Sequence, residues 1–345
     1  MKFLKAFFLS ALAAGAVYYT VLFFVIDAPI PAEYWVAEMI TVKKELIKQY
    51  AGREKIIVGG GSSTLFGVDA EAASRQLGVP VLNFGLHAGL RLEKILQETA
   101  SVAEPGDTVI LPLEPPYFEP SPQWTGWQVD NVIGWDHAAW KELNWRGKGR
   151  FLLSISPAVF TRMCVAKLQE KFWPAAISER LNALNEAAVL ARFRDRPAPE
   201  KFEYSAYNLD NHGDMQRAEG SKYKGKAWYL SKPDRVSKAT ATLLQAFVGS
   251  MKAKGVRVYF ANTPLIASEE SLDTLHAGEA HFLGDLAAIG PMIDRREDVL
   301  LDRKYFFNTD LHLNTEGRAI RTERLVQAIR KTVLPGAVVH SGPSE

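Results

Sequence analysis

Two stretches of this chain, 51–114 and 235–333, alternate strand-length apolar runs with helix-length amphipathic segments. Apolar runs at 55–58, 79–83 and 108–113 are separated by helical patterns at 70–77 and 90–102, where Leu92, Ile95, Leu96 and Thr99 recur at helical spacing. The rhythm resumes with a helix at 236–254, a strand at 256–261, a helix at 272–288, a strand at 299–301 and a last helix at 315–333. A strand buried on both faces reads as a continuous apolar run, and parallel strands need a crossover helix between them. The pattern therefore predicts a parallel sheet with helices on both faces.

The expected class is α/β: a doubly wound, flavodoxin-like parallel sheet in three α/β/α layers. Between the two stretches the rhythm stops. Residues 115–234 show no clean strand–helix repeat and read as a large, mostly helical insertion, with a long helical segment at about 155–193. It is rich in tryptophan, with Trp124, Trp127, Trp135, Trp140 and Trp145 close together. Residues 28–50, with Pro29 and Pro31 at their start, suggest a connecting helix, and 334–345 a loose tail.

Residues 1–27 predict a membrane anchor. Lys2 and Lys5 precede a run without charge from 6 to 26, ended by Asp27. As a helix, that run would extend roughly 30 Å, the thickness of a bilayer's hydrocarbon core. Lysines before the run and none just after it predict a cytoplasmic N-terminus and an extracytoplasmic (periplasmic) body. A cleaved signal peptide is the competing reading, since Ala11, Ala13 and Ala14 are small, but apolar residues continue well past them. The net charge of +2, with charges well mixed over 345 residues, argues against a nucleic-acid partner. The single cysteine, Cys164, excludes an internal disulfide and argues against a cysteine-based metal site.

Chemistry is concentrated in two segments. Ile56-Ile57-Val58 runs into Gly59-Gly60-Gly61-Ser62-Ser63-Thr64, and Asn308-Thr309-Asp310-Leu311-His312-Leu313-Asn314 precedes the last helix. The glycines lack the Lys-Ser/Thr ending of a phosphate-binding loop, and Thr64 stands where a dinucleotide fingerprint requires glycine. A serine at the C-terminal end of a parallel strand would face the crevice where such folds bind ligands, with backbone N–H groups beside it for an oxyanion. The alternative is that Ser62, Ser63 and Thr64 only cap the next helix. Asp310 and His312 supply an acid and an imidazole, which a serine nucleophile requires.

Together with Asn83-Phe84-Gly85 at the end of the second strand, these segments resemble the SGNH/GDSL hydrolase-like superfamily. The similarity is to its exported branch of alginate O-acetylation proteins and the teichoic acid D-alanyl transfer protein. It extends over the α/β core, about half the chain. The resemblance implies Ser63 as nucleophile, His312 as base and Asp310 as orienting acid. It also implies an oxyanion or substrate site involving Gly61, Gly85 or Gly89, and Asn83. The family's third oxyanion block is absent: Glu114-Pro115-Pro116 follows the third strand. His87 is an alternative imidazole, without an accompanying acid. Asp210-Asn211-His212-Gly213-Asp214 has metal-ligand residue types without an EF-hand's spacing and reads as a polar surface turn. The tryptophans read as packing, as contact with a membrane surface or as platforms for sugar rings.

The function the resemblance implies is acyl transfer to a cell-surface or exported polysaccharide, through an acyl-enzyme and without metal or cofactor. A membrane-bound O-acyltransferase is the implied donor partner. An esterase or deacetylase, and a non-catalytic glycan-binding or scaffold protein, are the alternatives.

Overall fold

The computed structural model of the chain describes residues 2–118, 123–225, 235–267 and 281–334. It contains a four-stranded parallel sheet in the order β2-β1-β3-β4, formed by β1 (Ile56–Gly60), β2 (Val81–Gly85), β3 (Thr108–Pro112) and β4 (Arg257–Ala261). Ile56 pairs with Val81 on one side and Thr108 on the other, and Thr108 with Arg257. All residues of β1, β2 and β3 are buried, as expected of strands covered on both faces, with Asn83 and Thr108 their polar members.

Alternate residues of β1 serve opposite faces. Ile56 and Val58 join a core with Ala70 and Ala73 of α4 (Ala70–Leu77) and with Leu325, Val326 and Ile329 of the last helix. Gly59 instead faces Thr99 of α5 (Leu92–Val102); a Cβ there would come within 2.9 Å of the Thr99 hydroxyl. Helix α12 (Lys238–Ala253) packs on α5 and β4. A helical stretch at 281–287 is labelled α13, and α14 is Thr315–Thr332. The first part of the helix expected at 272–288 lies outside the described residues, as does most of the tail.

The strand expected at 299–301 does not join the main sheet. Leu300–Leu301 (β6) pairs with Leu265–Ile266 (β5) in a separate two-stranded sheet. The outer edge of β4 is already occupied: Phe260 donates its N–H to Pro291 O and accepts from Ile293 N–H.

The chain divides into two compact units, residues 1–38 with 121–191, and 39–120 with 192–345. The first unit differs from an anchor plus insertion, because 28–38 belongs to it and 192–234 does not. It contains α1 (Lys2–Val25), α6 (Gly126–Gly134), α7 (His137–Glu142), α8 (Trp145–Leu153), α9 (Pro157–Phe172), α10 (Ser178–Ala183) and most of α11 (Glu186–Arg194). Helix α1 is long and apolar enough to cross a membrane and is largely exposed. Its last turns are not: Leu22 and Val25 lie in a core with Val132, Ile133, Phe151 and Met163. Trp124 and Trp140 pack on the same core. Helix α2 is Tyr34–Lys48.

Candidate active site

The site lies within the second unit. Strand β1 ends at Gly60, and α3 (Ser62–Gly67) starts after Gly61. The backbone here approaches its neighbours so closely that side chains are excluded. A Cβ on Gly85 would overlap the α3 backbone at Leu65, and one on Gly61 would overlap the Glu114 carboxylate. The glycine turn is thus a packing requirement of the site.

The hydroxyl brought to the imidazole belongs to Ser62. Ser62 Oγ lies 2.8 Å from His312 Nε2. Ser63, the expected nucleophile, lies one position further along α3, where the helix has turned by about 100°. Its hydroxyl is buried beside Glu114, and its N–H donates to Glu114 Oε1 at 2.8 Å. The expected orienting acid is also displaced. His312 Nδ1 lies 2.8 Å from Asn308 Oδ1, four residues earlier, and not against Asp310.

Local backbone geometry explains that exchange. Phe307 N–H donates to His312 O, and the Thr309 hydroxyl accepts from the N–H groups of Leu311 and His312. The loop closes with Asn308 and His312 at its base and Asp310 on its half-exposed side. From there Asp310 acts on the Tyr223 hydroxyl, adding to the burial that raises its pKa.

The chain of contacts fixes the tautomer. Asn308 Nδ2 donates to the Tyr204 hydroxyl at 2.8 Å, so its oxygen faces the ring and accepts from Nδ1–H. Nε2 is then the acceptor for the Ser62 proton. Phe66 stacks on the imidazole, with centroids 4.2 Å apart and planes 9° from parallel. Phe202, Tyr204 and Phe307 extend this aromatic wall. Burial, with a smaller contribution from His87, lowers the His312 pKa to about 3, so the ring is neutral at neutral pH. His87 therefore neighbours the site; its Nδ1 accepts the Gly89 N–H at 3.0 Å.

The expected oxyanion donors are mostly engaged. Gly61 N–H donates to Glu114 Oε2 at 3.1 Å, and Gly85 N–H to Asn83 Oδ1 at 2.8 Å. Between Gly61 and Ser63, the Ser62 N–H makes no hydrogen bond among the described residues. Glu114 thus accepts from the N–H groups on both sides of Ser62. Its carboxyl is fully buried, which raises its pKa against the lowering effect of the Ser63 and Gly61 N–H groups. Sequence reasoning noted this residue only as a departure. Its signal was an acid ending an otherwise apolar strand.

Asn83 is buried and structural: its Nδ2 donates to Thr64 O and Asp214 Oδ1. The 210–214 segment is not the surface turn its polarity suggested. Gly213 and Asp214 are buried, and His212 O accepts the Asn83 N–H at 2.9 Å. Lys43 of α2 donates to Asn83 O and Gly213 O, at 2.8 and 2.7 Å. Burial pushes Lys43 down and Asp214 up, to about 7 and about 8. No metal-ligating cluster of three His, Cys, Asp or Glu occurs among the described residues. Compared with known proteins, the chain matches no protein-family model and no curated protein.

Proposed function

We propose that the protein is a membrane-anchored, extracytoplasmic acyltransferase with an SGNH-like, doubly wound catalytic body, in which Ser62 is the nucleophile, His312 the base and Asn308 the residue that orients it. The observation that carries this reading is the continuous relay from Ser62 Oγ to His312 Nε2 and from Nδ1 to Asn308 Oδ1, each step 2.8 Å.

Ser62 Oγ attacks an acyl carbonyl while its proton passes to His312 Nε2. The leaving group departs with that proton, and an acyl-Ser62 ester remains. An acceptor hydroxyl then gives its proton to Nε2, attacks the ester and regenerates Ser62. The Ser62 N–H is the available backbone donor for the oxyanion in both steps. An amide in place of the acid serves this purpose, as in Cys-His-Asn hydrolases, because orientation and tautomer are what the third group supplies. A polysaccharide acceptor and a membrane-bound O-acyltransferase donor follow from the resemblance to the alginate and teichoic acid proteins. Lys2 and Lys5, ahead of the uncharged run of α1, support a cytoplasmic N-terminus.

A non-catalytic glycan-binding or scaffold role is the second reading, favoured by one observation: the Gly61 and Gly85 N–H groups already have acceptors. Polymer O-acylation in cells carrying Ser62→Ala against cells lacking the gene separates the two. Loss of acylation in both supports catalysis; full acylation in the Ser62→Ala cells supports the scaffold.

A further inference from the structure

We propose that Tyr204 is a positioning residue of the acyl-transfer site: its hydroxyl holds the Asn308 amide with the oxygen, not the nitrogen, against His312. The inference rests on reading Ser62, His312 and Asn308 as the catalytic relay. All the residues concerned lie in the second unit.

An asparagine is an ambiguous third member of such a relay. Its oxygen and NH2 group are nearly alike in size, and rotation about the last side-chain bond exchanges them. With the oxygen inward, Nδ1 keeps its proton and Nε2 can accept from Ser62. With the nitrogen inward, Nδ1 must accept, the proton sits on Nε2 and the Ser62 hydroxyl has no base. Main-chain bonds do not decide between the two. Phe307 N–H donates to His312 O at 2.7 Å, and Phe307 O accepts from Lys222 N–H at 2.6 Å. They fix where the Asn308 side chain leaves the loop but not how its amide is turned.

The Tyr204 hydroxyl supplies what is missing. It accepts from Asn308 Nδ2 at 2.8 Å, while at the other end of the amide Oδ1 lies 2.8 Å from His312 Nδ1. The amide is thus held at both ends. A tyrosine hydroxyl donates as well as accepts. Tyr204 is 43% exposed, so its own proton can go to solvent while a lone pair takes Nδ2–H. The aromatic wall places the ring: its centroid lies 4.9 Å from that of Phe202, at 81°, and 6.2 Å from that of Phe66, which stacks on the imidazole. The irregular segment after α11, outside the alternating sheet pattern, thereby contributes to the site.

The test is a double-mutant cycle on the full-length protein, with p-nitrophenyl acetate at about pH 8, above the His312 pKa in both backgrounds. Tyr204→Phe keeps the ring and removes the hydroxyl. It is expected to lower kcat about 3- to 10-fold, the worth of one neutral hydrogen bond, with KM within about twofold. In an Asn308→Asp background the same change is expected to alter kcat less than about twofold, because the two carboxylate oxygens are equivalent and neither offers a competing N–H. Nitrogen NMR of isotope-labelled histidine is expected to show His312 as the Nδ1–H tautomer in the wild type, with the Nε2–H form appearing in Tyr204→Phe. Wild-type kcat in Tyr204→Phe, a His312 that stays wholly Nδ1–H there, or equal losses in both backgrounds each overturns the proposal and leaves the triad standing. Full esterase activity in Ser62→Ala overturns the triad and the role of Tyr204 with it.

Discussion

Asn308→Ala removes the acceptor of His312 Nδ1–H and nothing else that touches the ring. The imidazole is only 7% exposed and stacked on Phe66, so water cannot readily replace the lost oxygen. A buried N–H left without its acceptor costs about 1–3 kcal/mol. The ring can avoid that cost by moving its proton to Nε2, which ends its ability to accept from Ser62. Either route lowers kcat/KM for an activated ester by about 10- to 100-fold, at ~1.4 kcal/mol per decade. Asn308→Asp acts in the opposite sense on protonation. A carboxylate near the ring stabilises the imidazolium by about 4 kcal/mol at an effective dielectric of 20, equivalent to ~3 pKa units. The acid limb of the kcat/KM profile, low in the wild type because burial depresses His312 to about 3, should then rise toward neutrality. Steady-state hydrolysis of p-nitrophenyl acetate between pH 4 and 9 measures both effects. Asp310→Ala, in the same assay, should stay within about twofold of wild type, since surface changes away from the site have small effects. A large loss for Asp310→Ala with wild-type rates for Asn308→Ala would refute the assignment.

Three further outcomes follow from buried polar groups. His312, neutral in the fold to about pH 3, titrates near 6.5 when unfolded, so only the unfolded chain binds its proton between those values. Its contribution to stability is therefore complete above pH 6.5 and lost as pH falls; denaturant titrations should show His312→Gln losing about 2 kcal/mol less than wild type between pH 7 and 5. Glu114→Gln leaves the N–H of Gly61 or Ser63 without an acceptor and should lower stability by about 1–3 kcal/mol and weaken esterase activity, checked by thermal unfolding and kinetics. Lys43→Met abandons the carbonyls of Asn83 and Gly213 in the interior and should lower stability by about 3 kcal/mol or more in chemical denaturation, whereas Lys48→Met, at an exposed position, stays within about 0.5 kcal/mol.

The sheet was legible because buried parallel strands leave continuous apolar runs, and β1, β3 and β4 begin within two residues of the expected positions. The meeting of the glycine turn with the Asn308–Asn314 loop was legible as well, because both follow strands of one alternating pattern. Which side chains meet was not. Neighbouring positions on a helix point about 100° apart, so Ser62 and Ser63 are equivalent in sequence but face different neighbours in space. Asp310 looked like the partner of His312 because it is charged and near. The Thr309 hydroxyl closes a turn that brings Asn308 to the ring instead. Glu114 and Asp214 were hidden for a different reason: polar residues are expected outside, and only the fold shows which backbone donors they satisfy.

In the proposed mechanism Ser62, activated by His312, attacks carbonyl-like centres. Peptide mass spectrometry of the full-length protein after reaction with a fluorophosphonate reads it directly. One adduct is expected, on Ser62, unchanged in rate by Asp310→Ala and abolished by His312→Ala. An adduct on Ser63, or a Ser62 adduct that forms equally fast without His312, would contradict it.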